Sequence, residues 1–384
     1  MMLPSQRSLF DIPSDVAYLN AAGWSPLPRA TQEAARAAVA RKGQPWKLGA
    51  DFADSQHERA RAAAAALIGA EGRDIALVSS VGYGVAIAGK VLSIPRGSRV
   101  LVLENDHTSP VLEWMSRADA QGFTVETIAQ PANGDWTPAV LAAIERPGAL
   151  PLALASISSI HWSDGGLLDM QAIRDALRRH GAALLVDATH GVGVIATDVK
   201  TLDPDFLIFP TYKWVLGPYG RAFVYVAKRH QDGVPLEQTS FGRRNVKAEN
   251  PVYFADTRYH GDARRYDMGE RDHFISMEMA AIGMEMMASW GAAAVVARLR
   301  ALTRRIADGL GGTNAVQVLG ERVRAPHILS LAFADGMPAT LVPALADQQI
   351  HVAARLGRMR VSPHVYNDEA DADRFVAALK SALA

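Results

Sequence analysis

Cysteine is absent from all 384 residues. Its absence excludes disulfides, thiolate metal sites and a cysteine nucleophile carried by this chain. Net charge is missing as well, with 40 Lys and Arg against 40 Asp and Glu, so no overall field draws the chain to nucleic acid or to an anionic membrane. Small, locally paired ligands are the expectation instead. Long apolar runs are lacking too: the longest, around residues 149–160, is too short and too broken to cross a bilayer. Residues 1–7 show no apolar signal-type segment, and the expected location is the cytoplasm. Repeats, low-complexity tails and flexible linkers are not found.

Hydrophobic residues make up 49% of the chain, enough for a large core shared by two or three domains at this length. Residues 1–28 read as an irregular arm, and Pro28 suits the first turn of a helix over 29–41. A second helix, over 54–68, contains the alanine run 62–66, which favours helix on propensity alone. From residue 74 apolar runs at 75–79, 99–103, 123–127, 152–157, 183–187, 206–209 and 221–226 alternate with helical patterns near 83–92, 110–121, 138–145 and 169–180. Unbroken apolar runs read as strands buried on both faces. Their alternation with helices predicts an α/β fold with a mostly parallel, doubly wound sheet. Residues 229–272 lose the pattern and read as a long polar excursion. A helical region over 274–310, broken near Gly291, holds Met277, Met279, Met284, Met286 and Met287, read as core or subunit-interface packing. The last segment reads strand, helix, strand, strand, helix: a smaller α+β domain.

In an open α/β sheet, ligands bind beyond the carboxyl ends of the strands. Two expected strands end there on chemistry, one at Asp187 and one just before Thr211-Tyr212-Lys213-Trp214. A lysine between an apolar strand and Trp214-Val215-Leu216 has a reason to lose its proton and act as a Schiff-base nucleophile, although most lysines are solvated surface charges. An acid beside it suits a pyridinium nitrogen, as pyridoxal phosphate requires; alone it would more often be a cap or a ligand. Ser79-Ser80-Val81-Gly82-Tyr83-Gly84, a small-residue turn into a helix, offers backbone donors for a phosphate. It lacks the third glycine of a dinucleotide fingerprint. His107 follows the next strand at the same edge and could stack on a ring. A cation site built from His107, His161, Asp187 and His190 has neither cysteine nor a paired-histidine spacing behind it, and no metal is expected.

Beyond this stretch, further landmarks run in one order: Tyr18-Leu19-Asn20-Ala21-Ala22, His161-Trp162-Ser163-Asp164-Gly165, Val186-Asp187-Ala188-Thr189-His190, Tyr212-Lys213-Trp214-Val215-Leu216-Gly217-Pro218, Arg265-Tyr266-Asp267 and Arg360-Val361-Ser362-Pro363-His364. With them the chain resembles the class V aminotransferase family of fold-type-I pyridoxal-phosphate enzymes, which includes cysteine desulfurases, kynureninases and isopenicillin N epimerase. The resemblance implies a large cofactor-binding domain over 29–272 after the arm, and a connecting helix with a small domain over 273–384. It implies that Lys213 carries pyridoxal 5′-phosphate, Asp187 meets the pyridine nitrogen and His107 stacks on the ring. By the same token His190 replaces a glutamine near the ring hydroxyl, and His161 or Trp162 stands for an asparagine. Tyr212 reaches the phosphate with Ser80, Val81 and Gly82. Arg355 or Arg360 takes the substrate carboxylate. A homodimer with its site between subunits is implied, in which residues 264–271 reach the neighbour's phosphate. The expected activity is aminotransferase, with a β-eliminating C–S lyase or an amino-acid epimerase as alternatives, and a non-catalytic protein of this fold as the alternative of another class. Because cysteine is absent, a desulfurase with its own cysteine nucleophile is expected to be excluded.

Overall fold

The computed structural model describes residues 2–49, 51–271, 274–311 and 315–383. The domain boundary expected between 272 and 273 lies outside them. Among the described residues, strands β1 (Ala17–Tyr18), β2 (Ile75–Val78), β3 (Arg99–Leu103), β4 (Thr124–Ile128), β5 (Leu152–Ser158), β6 (Ala183–Asp187), β7 (Phe206–Pro210) and β8 (Ala222–Val226) precede β9 (Val316–Val318), β10 (Leu329–Phe333), β11 (Ile350–His351), β12 (Ala353–Arg355) and β13 (Arg358–Val361). The helices are α1 (Arg29–Lys42), α2 (Phe52–Ile68), α3 (Val81–Val91), α4 (Thr108–Gln121), α5 (Trp136–Ile144), α6 (Met170–Arg179), α7 (Val199–Leu202), α8 (Phe274–Trp290), α9 (Ala292–Leu310), α10 (Leu341–Asp347) and α11 (Glu369–Leu383).

The seven-stranded sheet runs β2-β8-β7-β6-β5-β3-β4. Strand β8 is antiparallel to both of its neighbours, while β3 to β7 pair in parallel. Every residue of β3, β7 and β8 is buried, as expected of strands covered on both faces. Leu77, Leu101, Leu184 and Leu207 pack into one core with α2, α5, α6 and α8, and Val78, Val102, Leu185 and Ile208 into another with α3 and α4. With this order, β2, β3, β6 and β7 all end at one edge of the sheet, which brings together segments far apart in the chain.

A four-stranded antiparallel sheet, β12-β13-β10-β9, forms the second unit. The arm expected to be irregular contains β1, which pairs in parallel with β11 (Ala17 with Ile350). Two residues of extended chain become a strand only because a distant edge accepts their hydrogen bonds. The helical region splits at Gly291, whose φ of +76° no other residue adopts easily, and α8 meets α9 at 83°. Met277, Met279, Met284 and Met287 are buried. A Cβ on Gly283 of α8 would lie 2.3 Å from the Val215 carbonyl oxygen, so glycine there lets the helix lie directly against the turn after Lys213. No single described helix is long and apolar enough to cross a membrane.

Candidate active site

At the shared sheet edge β6 delivers Asp187, 2% exposed, whose Oδ1 accepts the Thr189 N–H at 2.9 Å. Strand β7 stops at Pro210 and the chain turns sharply. Thr211 Oγ1 donates to the Pro218 carbonyl at 2.5 Å, the Gly217 N–H donates to the Thr211 carbonyl at 2.8 Å, and Leu216 adopts φ +56°. This tight turn, backed by Gly283, holds Lys213 with 4% exposure. Burial brings its amine down to about 7, helped by the nearby Arg360 charge and opposed by Asp187.

The partner of Lys213 is a histidine rather than a carboxylate. Lys213 Nζ lies 3.3 Å from His190 Nε2, and Trp214 Nε1 donates to His190 Nδ1 at 3.0 Å. An indole N–H can only donate, so the neutral imidazole must carry its proton on Nε2. Burial pushes His190 well below its ordinary range and keeps it neutral. His190 therefore donates to the lysine and favours the free base. Behind them His327 Nε2 donates to the His190 carbonyl at 2.7 Å, and His364 Nε2 to the Trp214 carbonyl at 3.2 Å. The indole stacks on His364 at 5.4 Å and meets His327 edge-on at 4.3 Å.

A cavity of about 260 Å³ opens beside Asp187, lined by Ser80, Val81, Gly82, His107 and Tyr212. Ser80 caps α3 by accepting the Tyr83 N–H at 3.1 Å, and the remaining free N–H groups of that helix start face the same space. His107 begins α4, and its own N–H is held by Asp106 Oδ1 at 2.7 Å. Its ring meets Trp162 edge-on at 5.7 Å. Burial and the Lys213 charge keep His107 below its usual range. Tyr212 leans on Tyr219 at 4.3 Å, and burial pushes its hydroxyl up to about 12. Arg221, which no motif singled out, also lines this cavity. A larger cavity, about 580 Å³, lies elsewhere and has neither lysine nor histidine in its wall.

Trp162 is set by its neighbours: its Nε1 donates to the Asn105 carbonyl at 2.6 Å, and its carbonyl accepts from Arg360 at 2.8 Å. His161 points away from the cavity. Its Nδ1 donates to Asp164 Oδ1 and its Nε2 to the Glu104 carbonyl, both at 3.1 Å, while its ring stacks on Trp136 at 4.7 Å. Two acceptors on one ring require the imidazolium, and despite burial Asp164 holds His161 above its usual range. Arg360 is buried and Arg355 partly exposed, and no hydrogen bond joins them. Residues 264–271 are tied down within the chain: Arg264 to Glu58 and Asp262, Arg265 to the carbonyls of Gly233 and His260, Arg271 to Asp267. Local pattern offered no signal for Trp214 as a donor, for Asp106, or for His327, because each acts through contacts distant in sequence.

The family model described as Aminotransferase class-V matches residues 17–375. The chain is 28% identical to an uncharacterized aminotransferase, YcbU, of Bacillus subtilis, over 85% of this chain and 82% of that one. It is 25% identical to a probable cysteine desulfurase of Vibrio cholerae, over 76% and 72%. Among solved structures it resembles an apo cysteine desulfurase of Thermococcus onnurineus (TM-score 0.85, 20% identity, 100% and 98% covered). It also resembles the cystine C–S lyase C-DES, solved with its reaction product cysteine persulfide (TM-score 0.84, 19% identity, 95% and 97% covered). These likenesses establish the fold. They also correct one expectation: with cysteine desulfurases among its relatives, the chain cannot be set outside that group on its lack of cysteine. The physical reason is that composition tells which thiols a chain carries, whereas the sulfur of a cleaved C–S bond can also leave on a small molecule.

Proposed function

This chain belongs to the class-V aminotransferase family, and from that membership we propose a pyridoxal 5′-phosphate enzyme acting at the α-amino group of an amino acid, in the first place an aminotransferase. The observation that carries the reading is Lys213, buried, hydrogen-bonded to a neutral histidine and poised near pH 7 as a free base at the sheet edge that holds Asp187. The surroundings fit the cofactor. A buried carboxylate, a capped helix N-terminus and a nucleophilic amine meet at one edge, the donor set that a phosphorylated pyridine aldehyde needs.

When bound, the cofactor supplies an electron sink for the bonds at the substrate's Cα. Asp187 would hold its ring nitrogen, His107 its face, and His190 its ring hydroxyl. Ser80, the N–H groups of Val81 and Gly82, and Tyr212 would hold its phosphate, and Trp162 would close the rim. Lys213 Nζ would be the point of attachment for the cofactor and the base that takes the proton from the substrate's Cα and returns it. Arg360 receives the α-carboxylate, since a buried guanidinium matches a carboxylate in a two-point bond. Return of the proton to the cofactor's carbon would lead to transamination, whereas protonation of Cα from the face opposite Lys213 would lead to epimerisation. Cleavage of a C–S bond is the second reading, favoured by the relatives named as cysteine desulfurases and as a C–S lyase. We further propose a cytoplasmic homodimer, divided into an arm over 1–28, a large domain over 29–272 and a small one over 273–384.

The test is reconstitution with pyridoxal 5′-phosphate, borohydride reduction and peptide mass spectrometry, followed by an amino-acid screen with and without a 2-oxo acid. A reduced adduct on Lys213 with acceptor-dependent turnover supports the aminotransferase, and acceptor-independent release of sulfide or ammonia supports the lyase. A protein that stays colourless on reconstitution sinks the cofactor reading.

A further inference from the structure

The β12–β13 hairpin carries three arginines, and its register decides where they point. Arg355 lies opposite Arg358, Ala354 opposite Met359 and Ala353 opposite Arg360. Met359 and Val361 are fully buried in the core of the small unit, so alternation along β13 turns Arg358 and Arg360 to the other face. Residues directly opposite in an antiparallel pair share a face, which puts Arg355 with them. That face meets the candidate site: Arg360 donates to the Trp162 carbonyl, and its guanidinium lies 6.0 Å from the Trp162 ring.

None of these three arginines has a carboxylate partner among the described residues. Arg360 is 2% exposed, with its Nε buried and unpartnered, and Arg355 donates only to the adjacent Ala354 carbonyl at 2.7 Å. Four other buried arginines meet acids: Arg61 with Asp267, Arg99 with Glu126, Arg174 with Asp203 and Arg298 with Glu369. Leaving a guanidinium buried and unpaired is costly. Burial, and then the Arg355 charge, bring Arg360 down to about 9. One α-carboxylate neutralises one of the two arginines whose charges act on Lys213, Arg360 and Arg355, and leaves the other in the field.

We infer that the substrate, as amino donor or as 2-oxo acid acceptor, carries a second acidic group besides its α-carboxylate, and that Arg355 receives it. Diagonal neighbours across such a pair sit roughly 7–8 Å apart at the backbone, a spacing that long, flexible guanidinium arms close onto the two ends of a short dicarboxylate. The inference rests on the assignment of the site made above, and names the substrate class for that site.

Succinate and butyrate, of equal length, are titrated calorimetrically into the protein loaded with pyridoxal 5′-phosphate, at low ionic strength, with the absorption of the cofactor followed in parallel. Succinate is expected to bind about 10- to 100-fold tighter than butyrate, the gain of one charge-assisted pair. In Arg355→Gln the ratio should fall to within about twofold. Equal affinities in the unaltered protein overturn the inference, and so does a ratio that survives Arg355→Gln in a folded variant. Because heat is read independently of colour, a colourless protein that still prefers succinate sinks the cofactor reading and leaves the diacid site standing.

Discussion

Replacing Trp214 by phenylalanine tests the lysine–histidine–tryptophan arrangement at its least obvious member. The substitution keeps an aromatic ring against His327 and His364 but removes the N–H that reaches His190 Nδ1. In the unaltered protein that bond confines the imidazole proton to Nε2, and the 3.3 Å contact with Lys213 Nζ then serves the free amine. Without it the two tautomers become close in energy, and Nε2 can accept from a lysine ammonium instead. A net hydrogen bond is worth about 1 kcal/mol, and one pKa unit is about 1.36 kcal/mol. The amine should therefore rise by roughly 0.7 unit from its value of about 7. At pH 7 its free-base fraction falls from about half to about a sixth. The assay is the rate of acylation of Lys213 in the cofactor-free protein across pH, read by peptide mass spectrometry. A folded Trp214→Phe protein whose Lys213 titrates where it did before would refute the tautomer argument.

Further outcomes can be checked with single variants. Lys213→Ala should lose the borohydride-fixed adduct while keeping its circular dichroism spectrum; an adduct that persists would mean another lysine is the attachment point. Arg360→Gln should raise the KM of an amino-acid substrate by about 10- to 100-fold with a smaller change in kcat, and unchanged KM would remove Arg360 from the substrate site. The His161–Asp164 pair sets a pH window: His161, raised, contributes fully below about 6.5 and loses its contribution as pH climbs through its higher folded value, while Asp164, lowered, contributes fully above about 3.8 and loses it in acid. Chemical denaturation of His161→Gln should show a flatter stability profile above pH 6.5 than the parent. Arg61→Met breaks a pair whose side chains are 0% exposed and leaves Asp267 with Arg271 and the Leu77 N–H, the latter at 2.9 Å; a loss of about 1–3 kcal/mol in a urea titration is expected.

Much of the fold was legible in the sequence because its signals are local. The apolar runs 99–103 and 183–187 appear as β3 and β6 with those limits, since a strand covered on both faces has little freedom in composition. Ser80 before α3 and Gly291 between α8 and α9 are equally local, as cap and break. Strand β1 was missed because two residues carry no periodicity, and β9 because its burial is only partial. In the site, Asp187 and Lys213 stood out by ending apolar runs. Trp214 did not: its part depends on where His190, 24 residues away, comes to rest.

By itself the sequence determined the alternation that makes an α/β sheet, the acid and the lysine at two strand ends, and the absence of any thiol on the chain. Those follow from side-chain chemistry and period along the backbone. The tertiary structure decided the strand order that gathers β2, β3, β6 and β7 at one edge, and the tautomer that favours the free base of Lys213. It also decided the hairpin register that turns Arg355 and Arg360 to one face, with no acid among the described residues to meet them. Each of these is a relation between groups far apart in the chain, fixed only when packing brings donors, acceptors and charges within reach of one another.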